Sequence, residues 1–597
     1  MDIKTTPLTV SQLLHGSNEQ FVIPPYQRRY SWLNKQIIQL FDDIKNLSDG
    51  ETHFLGSIVC LTESHTAGVN LLELVDGQQR MTTLILVLDT IKDKFEELED
   101  QREADRIEDL VTCNDIDRKR ISKIILGDLD DSDFKIIINQ SGFEQIKNRK
   151  LLEAYQMIKG NLDQMTTDEL NKFKEKLINQ TNIVRLDVSR AKDAFKLFET
   201  INNRGLSLSP TDIIKNFLLG HASLIDDETL RRVKEEWTKI IVNMDGQNLD
   251  DFFRQYLSGK LGNKVSFTFL TDYFKKYYIN KVSQTEILAE YQEFDEIDIS
   301  EDEKSASKSR MTPIEFLREL QNSSQIYAKI LNRNFDDKKI NDLLYNLQRI
   351  KSFPSYTFIL DLMKREVPRN DKLEILRLIE VFMIRRNICE YRTSELDDIF
   401  SKLVKLPDEE LVLNVKNYLA ERLPTDQEFE SKILTHDFYG QYLDRAKCML
   451  EAIEYKLSGN TEEKFIGSGE DVHLEHIIPQ TITTKKSKEE LGDWEKYLNC
   501  TKEEHQFYVS KLGNMTLLSG KKNIIASNNP FSSKREIYEG SEIKLTHELS
   551  KLDDFKFKNV DERSKKLAKE SVKIWSMNLP APRAQGIRGG MTEAKLA

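Results

Sequence analysis

The chain has 597 residues and a mass of 69.6 kDa, with 87 Lys and Arg against 99 Asp and Glu, a formal charge of −12 and an isoelectric point near 5.5. With 39% hydrophobic and 31% charged residues, 13 Pro and 24 Gly, it is rich in helix formers and poor in turn formers. That composition excludes collagen, disulfide scaffolds and membrane proteins, and it favours a mainly α protein of roughly three to five domains. Net acidity also argues against a nucleic-acid binder, since DNA affinity comes largely from Lys and Arg on phosphates.

Five cysteines (Cys60, Cys113, Cys389, Cys448, Cys500) are scattered without a C-x-x-C pair, which speaks against a disulfide framework and a zinc–thiolate site. The N-terminus has no charged-then-apolar signal, and no apolar run reaches the ~20 residues of a membrane span. The expectation is a cytoplasmic protein with no membrane partner.

In chain order, residues 33–47 show helical spacing at Ile37, Ile38, Leu40, Phe41, Ile44 and Leu47. Residues 53–61 and 70–77 read as strands, the second ending in a Gly turn, and 81–98 as a mostly buried helix. From about 100 to 450 the pattern is almost wholly helical, with clear segments at 151–162, 193–201, 209–222 and 372–391. Ser209 and Pro210 suit the cap and first position of one of these, with Asp212 near its positive end. Residues 295–310 read as an exposed linker and 458–471 as a Gly/Ser/Thr-rich loop.

The C-terminal part carries a chemical constellation. A short apolar strand brings Glu475 and His476, followed by Ile477, Ile478 and Pro479; later Gly513-Asn514 leads a second strand, and Asn523 follows nine positions on. A neutral imidazole can take a proton from water while a carboxylate and an amide oxygen hold Mg²⁺ against a phosphate. Mg²⁺ keeps most of its waters, so a sparse protein ligand set suffices. Taken singly, each feature has a plain structural reading: a core histidine, or a Gly-Asn turn.

The N-terminal part carries another. "VDGQQRMTTL" places Asp76, Gly77, Gln78, Gln79 and Arg80 at a strand-to-helix turn, with Thr82 and Thr83 in the first turn. Backbone N–H groups at a helix start bind anions, and Arg80 can fork onto a phosphate. "PPYQRRYSW" adds Tyr26, Gln27, Arg28 and Arg29 beside Tyr30 and Trp32. No G-x-x-x-x-G-K-[ST] occurs, so a P-loop is excluded. The residues alone leave two readings open, a polyphosphate site and a structural Arg–Asp network.

"LEHIIPQ…GNMTLLSGKKN" resembles the ββα-metal (HNH) nuclease motif. By that resemblance His476 is the general base, Glu475 a metal ligand (Glu in place of the more usual Asp), Asn514 the residue that pins the loop, and Asn523 a second metal oxygen. His473, two residues before Glu475, is a further metal candidate, and Lys534 and Arg535 are candidates for DNA phosphate or simply a solvated basic face. "IPPYQRRYSW", "HFLGSIV", "LVDGQQRMTTL" and "FETINNRGLSLSPTDIIKN" resemble the ParB/sulfiredoxin-like domain of GmrSD-type, modification-dependent restriction endonucleases, and "FMIRRNICEY" resembles a segment of the same family.

The resemblance implies a mainly α chain with two small α+β units. These are a ParB/sulfiredoxin-like nucleotide domain (1–225), a helical connecting region (226–430), an HNH domain (431–577) and a flexible tail (578–597). It implies nucleotide contacts from Asp76, Gly77, Gln78, Gln79, Arg80, Thr82, Tyr26, Gln27, Arg28 and Arg29, and from Asn202 and Arg204 of "NNRG", a loop that also has a structural reading. The implied cofactors are Mg²⁺ or Mn²⁺ and a nucleoside triphosphate (GTP, CTP, UTP or ATP). The implied substrate is double-stranded modified DNA, and a homodimer is left open. The expected function is an NTP-regulated type IV restriction endonuclease, the alternative being a nucleotide-dependent DNA-binding adaptor with a degenerate nuclease. Charge is compatible: residues 431–597 hold 27 basic against 25 acidic side chains, and 511–575 hold 14 against 9. The acidity therefore belongs to the rest of the chain.

Overall fold

Two β-rich runs near the N-terminus form the middle of a six-stranded sheet. The computed structural model describes residues 3–16, 18–48, 50–66, 68–202, 209–285, 287, 310–458, 472–482 and 493–577. It divides into two compact units, Met1–Arg254 with Val265–Ala328, and Gln255–Lys264 with Lys329–Ala597. The helices expected to form a separate middle region are thus shared between the two.

In the first unit, the strands β1 (Ile3–Thr9), β2 (Glu19–Val22), β3 (His53–Thr66), β4 (Val69–Asp76), β7 (Ile124–Ile125) and β8 (Thr181–Val188) make a mixed sheet in the order β1-β8-β3-β4-β2-β7. β3 pairs antiparallel with β4 and parallel with β8. The short strands β5 (Thr112–Asn114) and β6 (Arg120–Ser122) form a separate hairpin. The region from 100 onward is therefore not all helical. β8 buries Thr181, Ile183, Leu186 and Val188, a pattern whose two-residue period breaks between Ile183 and Leu186, and its two sheet neighbours make it a strand.

The helix Gln78–Glu97 follows β4 directly and is buried along both faces, from Met81, Leu84 and Leu88 to Thr83 and Thr90. It packs on the helices Gln101–Val111 and Arg149–Asp163, so its stretch Met81–Ile91 is core. The helix Pro210–Ile225 starts as its sequence requires, with Ser209 accepting from the Asp212 amide at 3.2 Å. No described helix is long and apolar enough to cross a membrane, and all five cysteines are free thiols.

In the second unit, "FMIRRNICEY" forms the end of the helix Arg369–Ile388 and the turn after it, and from Ile375 on that helix is mostly buried. Arg385 bonds Asp426 and lies 4.9 Å over the Phe429 ring, while Arg386 bonds the Arg422 carbonyl at 2.9 Å and Glu395 at 2.9 Å. These guanidiniums tie helices together from inside. A second sheet pairs β9 (Val472–His476) antiparallel with β10 (Met515–Ser519), opposing His476 to Met515 and Glu475 to Thr516. The short helix Gly520–Ala526 follows, then Phe531–Glu539 and the closing helix Phe557–Ile574. Residues 295–309, 459–471 and 578–597, expected to be linker, loop and tail, lie outside the described residues.

Candidate functional sites in the two units

At the end of β4 the chain turns through Gly77, whose φ is +96°. A Cβ there would sit 2.5 Å from the Ile58 methyl, so both conformation and space require glycine. The turn sets the helix start beside "YQRR". Gln78 donates to the Arg28 carbonyl at 2.7 Å, and Gln79 accepts from the Ser31 amide at 2.8 Å. Arg80 does not point outward: it donates to the Ser57 carbonyl and lies across Gly56. Asp76 is partly buried, and desolvation raises its carboxyl despite the opposing Arg80 charge.

The upstream segment is equally engaged. Gln27 donates to the Val75 carbonyl at 3.0 Å and accepts from the buried Lys215 ammonium. Tyr26 donates to Glu73 at 2.5 Å, and Lys234 reaches the same oxygen at 2.8 Å while lying 4.9 Å over the Tyr26 ring. Arg29 is ringed by Asp130, Asp133 and Asp245. Arg28 keeps its side chain 45% exposed and approaches Asp212 only to 3.5 Å. Burial would raise the Asp212 carboxyl, but Lys215 and Arg28 outweigh it and hold it low. Burial in turn lowers the Lys215 ammonium.

Gln27, Arg28, Arg29, Gln78, Gln79 and Thr82 surround one cleft of about 20 Å³, room for a water. Asp76, Gly77, Arg80 and Tyr26 do not line it. Both sequence readings thus have counterparts here: an Arg–Asp network around Arg29, and an anion-compatible cleft whose most exposed cation is Arg28. Arg204 lies outside the described residues; Asn202 ends the helix Ala191–Asn202. Sequence reasoning missed Lys215 and Glu73 altogether and read Asp212 only as a helix-start charge. Their separation from Gln27 and Tyr26 along the chain leaves no local pattern to find.

In the second unit, Asn514 is fully buried and closes the β9–β10 loop. Its side-chain oxygen accepts from the Ile478 amide at 2.8 Å, and its amide donates to the Ile478 and Val509 carbonyls at 3.0 Å each. Gly513 is a close approach rather than only a turn: a Cβ would meet the Val560 carbonyl at 2.2 Å and Ser564 Oγ at 2.3 Å. Together they seat the strand end on the helix Phe557–Ile574.

His476 sits at the end of β9 with Nε2 3.2 Å from the Gln480 side chain. Desolvation, with the Lys534 charge, lowers its imidazole to about 4, so the ring is neutral at pH 7. Glu475, on the opposite face by strand alternation, is buried. Its Oε1 accepts from Lys534 at 2.6 Å and from the Tyr538 hydroxyl at 3.0 Å.

Lys534 also donates to the carbonyls of His476 at 2.8 Å and Ile477 at 3.1 Å, and is fully buried. This corrects its sequence assignment as a DNA-phosphate residue: with all three protons spent inside, none faces solvent. Arg535 is 43% exposed and lies 3.6 Å from Asp553.

As a cradle for Mg²⁺ the expected ligands divide. Asn523 fits, because its Oδ1 is buried without a hydrogen-bond partner. Glu475 does not, because an ammonium already neutralises its carboxylate and would repel a second cation. His473 is exposed on β9, its ring against Gly520. Among the described residues no three His, Cys, Asp or Glu side chains converge.

No curated protein matches the sequence. A family model described as "GmrSD restriction endonuclease, N-terminal domain" matches residues 10–219, which contain the DGQQR cleft. A second, "GmrSD restriction endonucleases, C-terminal domain", matches residues 423–570, which contain the β9–β10 site. Carrying both domains on one polypeptide, the chain belongs to the GmrSD restriction endonucleases, the type IV restriction enzymes that act on DNA.

Proposed function

We propose that the chain is an NTP-responsive, divalent-metal-dependent endonuclease that cuts modified, phage-type DNA in anti-phage defence. The observation that best supports the chemistry is the His476 imidazole, neutral at pH 7 and carried on a strand end whose carbonyls are gripped by Lys534. A neutral ring so fixed can accept the proton of a water attacking phosphorus. Bound Mg²⁺ or Mn²⁺ would supply Lewis-acid polarisation of the phosphate, and Asn523 is the residue here with an oxygen to hold it. Arg535 holds the DNA backbone in this reading.

The nucleoside triphosphate (GTP, CTP, UTP or ATP) belongs at the mouth of the cleft in the first unit. Arg28 is the cation most available there, and the start of the helix Gln78–Glu97 offers its amides. The 20 Å³ cleft itself is too small for a nucleotide, so binding entails opening the Arg28–Asp212 contact.

The direct test is cleavage of matched DNAs differing only in modification, with and without NTP, beside His476→Ala. Cutting by His476→Ala with metal present would remove the nuclease assignment. The Glu475–Lys534 pair lends the adaptor alternative one point, because it spends a carboxylate a metal would use. A modified plasmid left intact in Mg²⁺ or Mn²⁺ would favour that alternative.

A further inference from the structure

A cavity of about 150 Å³ opens in the nuclease unit, walled by Trp494, Tyr497, Pro530 and Phe531, with Asp493 and Asp553 at its edge; the Asp493 carboxylate accepts from the Lys496 amide at 3.0 Å, and that of Asp553, fully exposed, lies 3.6 Å from Arg535. Its walls are set in place. Trp494 is buried and donates to the Asn528 carbonyl at 3.1 Å, and its ring meets Tyr497 edge-on at 5.4 Å. The Tyr497 hydroxyl accepts from the Phe555 amide at 3.0 Å, and Phe531 packs on Phe555. The cavity is also tied to the chemistry: Phe531 lies one helical turn before Lys534, which bonds the His476 carbonyl.

Size and chemistry restrict the occupant. An enclosed apolar cavity of about 150 Å³ admits one benzene, so the space between these walls matches a single six-membered ring. Aromatic walls stack on a flat π-face. Carboxylates accept hydrogen bonds, and the base that offers them an exocyclic amine on one ring is cytosine. A base in a duplex reaches such a cavity only by leaving the stack.

A second observation supplies the means. Ile524 is 78% exposed, the most exposed large hydrophobic among the described residues, and its neighbour Ile525 is 62% exposed. They follow Asn523 on the helix Gly520–Ala526, beside exposed Lys521. Ala526 of that helix packs in the same cluster as Trp494 and Phe531. Two aliphatic side chains held in water forgo burial, and apolar wedges of this kind enter DNA between base steps. The surrounding stretch 511–575 is net basic, as a DNA-facing surface requires.

We propose that this cavity receives a cytosine-type base extruded from the DNA, with Ile524 and Ile525 filling the gap left in the stack. The inference rests on the nuclease reading above and deepens it, placing recognition of the modified base in the nuclease unit, one helical turn from the residue that holds the His476 strand. The open side of the cavity leaves a substituent on the ring outside the aromatic walls.

The test titrates the full-length His476→Ala protein with duplexes carrying 2-aminopurine beside one 5-hydroxymethylcytosine, following anisotropy and fluorescence together. The expected result is a several-fold rise in fluorescence on binding. That rise is lost in Ile524→Ser/Ile525→Ser, and preference over an unmodified duplex falls roughly tenfold in Asp553→Ala. These substitutions lie on exposed side chains, so the fold is kept. Binding without any rise overturns the proposal and leaves the nuclease reading standing. A rise unchanged in both variants also overturns it. If the serine pair instead converts a dimer to a monomer with fluorescence intact, the isoleucines serve a second copy and the proposal fails. No binding to any duplex, with no cleavage by the unsubstituted protein, removes the nuclease reading itself.

Discussion

The ammonium of Lys534 lies 2.6 Å from Oε1 of Glu475, and both side chains are buried behind the strand that ends in His476. The same ammonium reaches two backbone carbonyls of that strand end. The pair therefore sets the position of the histidine, and neither partner is free for DNA or metal.

Lys534→Met should destabilise the nuclease unit by about 3–5 kcal/mol, the usual cost of leaving one partner of a buried pair uncompensated. Glu475→Gln/Lys534→Met should recover much of that loss. Thermal unfolding of the three proteins checks the order. A double variant no more stable than Lys534→Met would show that the carboxylate charge was not the cause.

His476→Ala should abolish DNA cleavage while leaving intact any NTP hydrolysis at the cleft proposed to bind the nucleotide in the first unit. Plasmid cleavage and phosphate release measured on one preparation settle it. Asn514→Ala should lose cleavage too, but with lowered stability, because three hydrogen bonds to Ile478 and Val509 disappear with the side chain.

Acid should weaken the second unit through His436. Its ring is buried between Phe438 and Tyr442, and desolvation lowers it to about 4, although Glu390 at 3.6 Å opposes the shift. With the folded value below the unfolded 6.5, the unfolded chain binds more protons between pH 6.5 and 4. The stability present above 6.5 is lost as pH falls, by roughly 1.4 kcal/mol per unit within that window. His436→Phe keeps the aromatic packing and should remove roughly half of that dependence, because His476, lowered to about 4 in the same unit, acts in the same window. Melting curves from pH 7.5 to 5 report it, and an unchanged slope would contradict the assignment.

In the first unit, Arg28→Ala and Arg80→Ala should part company. Arg28 is half exposed, so its loss should weaken NTP binding with little change in melting. Arg80 is built into the Ser57–Gly56 backbone, so its loss should lower stability as well as hydrolysis. Gly77→Ala should cost about 1–3 kcal/mol for its left-handed conformation, plus the clash with Ile58. Nucleotide titration and melting of the three variants distinguish these outcomes.

Sequence by itself determined the helical bulk, the strand runs that became β3 and β4, the Gly77 turn, and a His-bearing strand and a Gly-Asn strand, whose pairings the structure supplied. Each is written in local spacing or in a residue type that the backbone requires, and the ordered motifs at both ends carried the family. Tertiary structure alone decided what the charged residues do. Lys534 and Arg535 are neighbours in a basic stretch, yet one is sealed against Glu475 and the other reaches solvent. Arg80 and Arg28 share a motif-rich surface in sequence terms, yet one braces the sheet and the other borders the cleft. β8 escaped notice for the same reason, its partners lying far away along the chain. Local sequence specifies backbone geometry, whereas the role of a charge depends on burial and on partners that only the folded chain brings near.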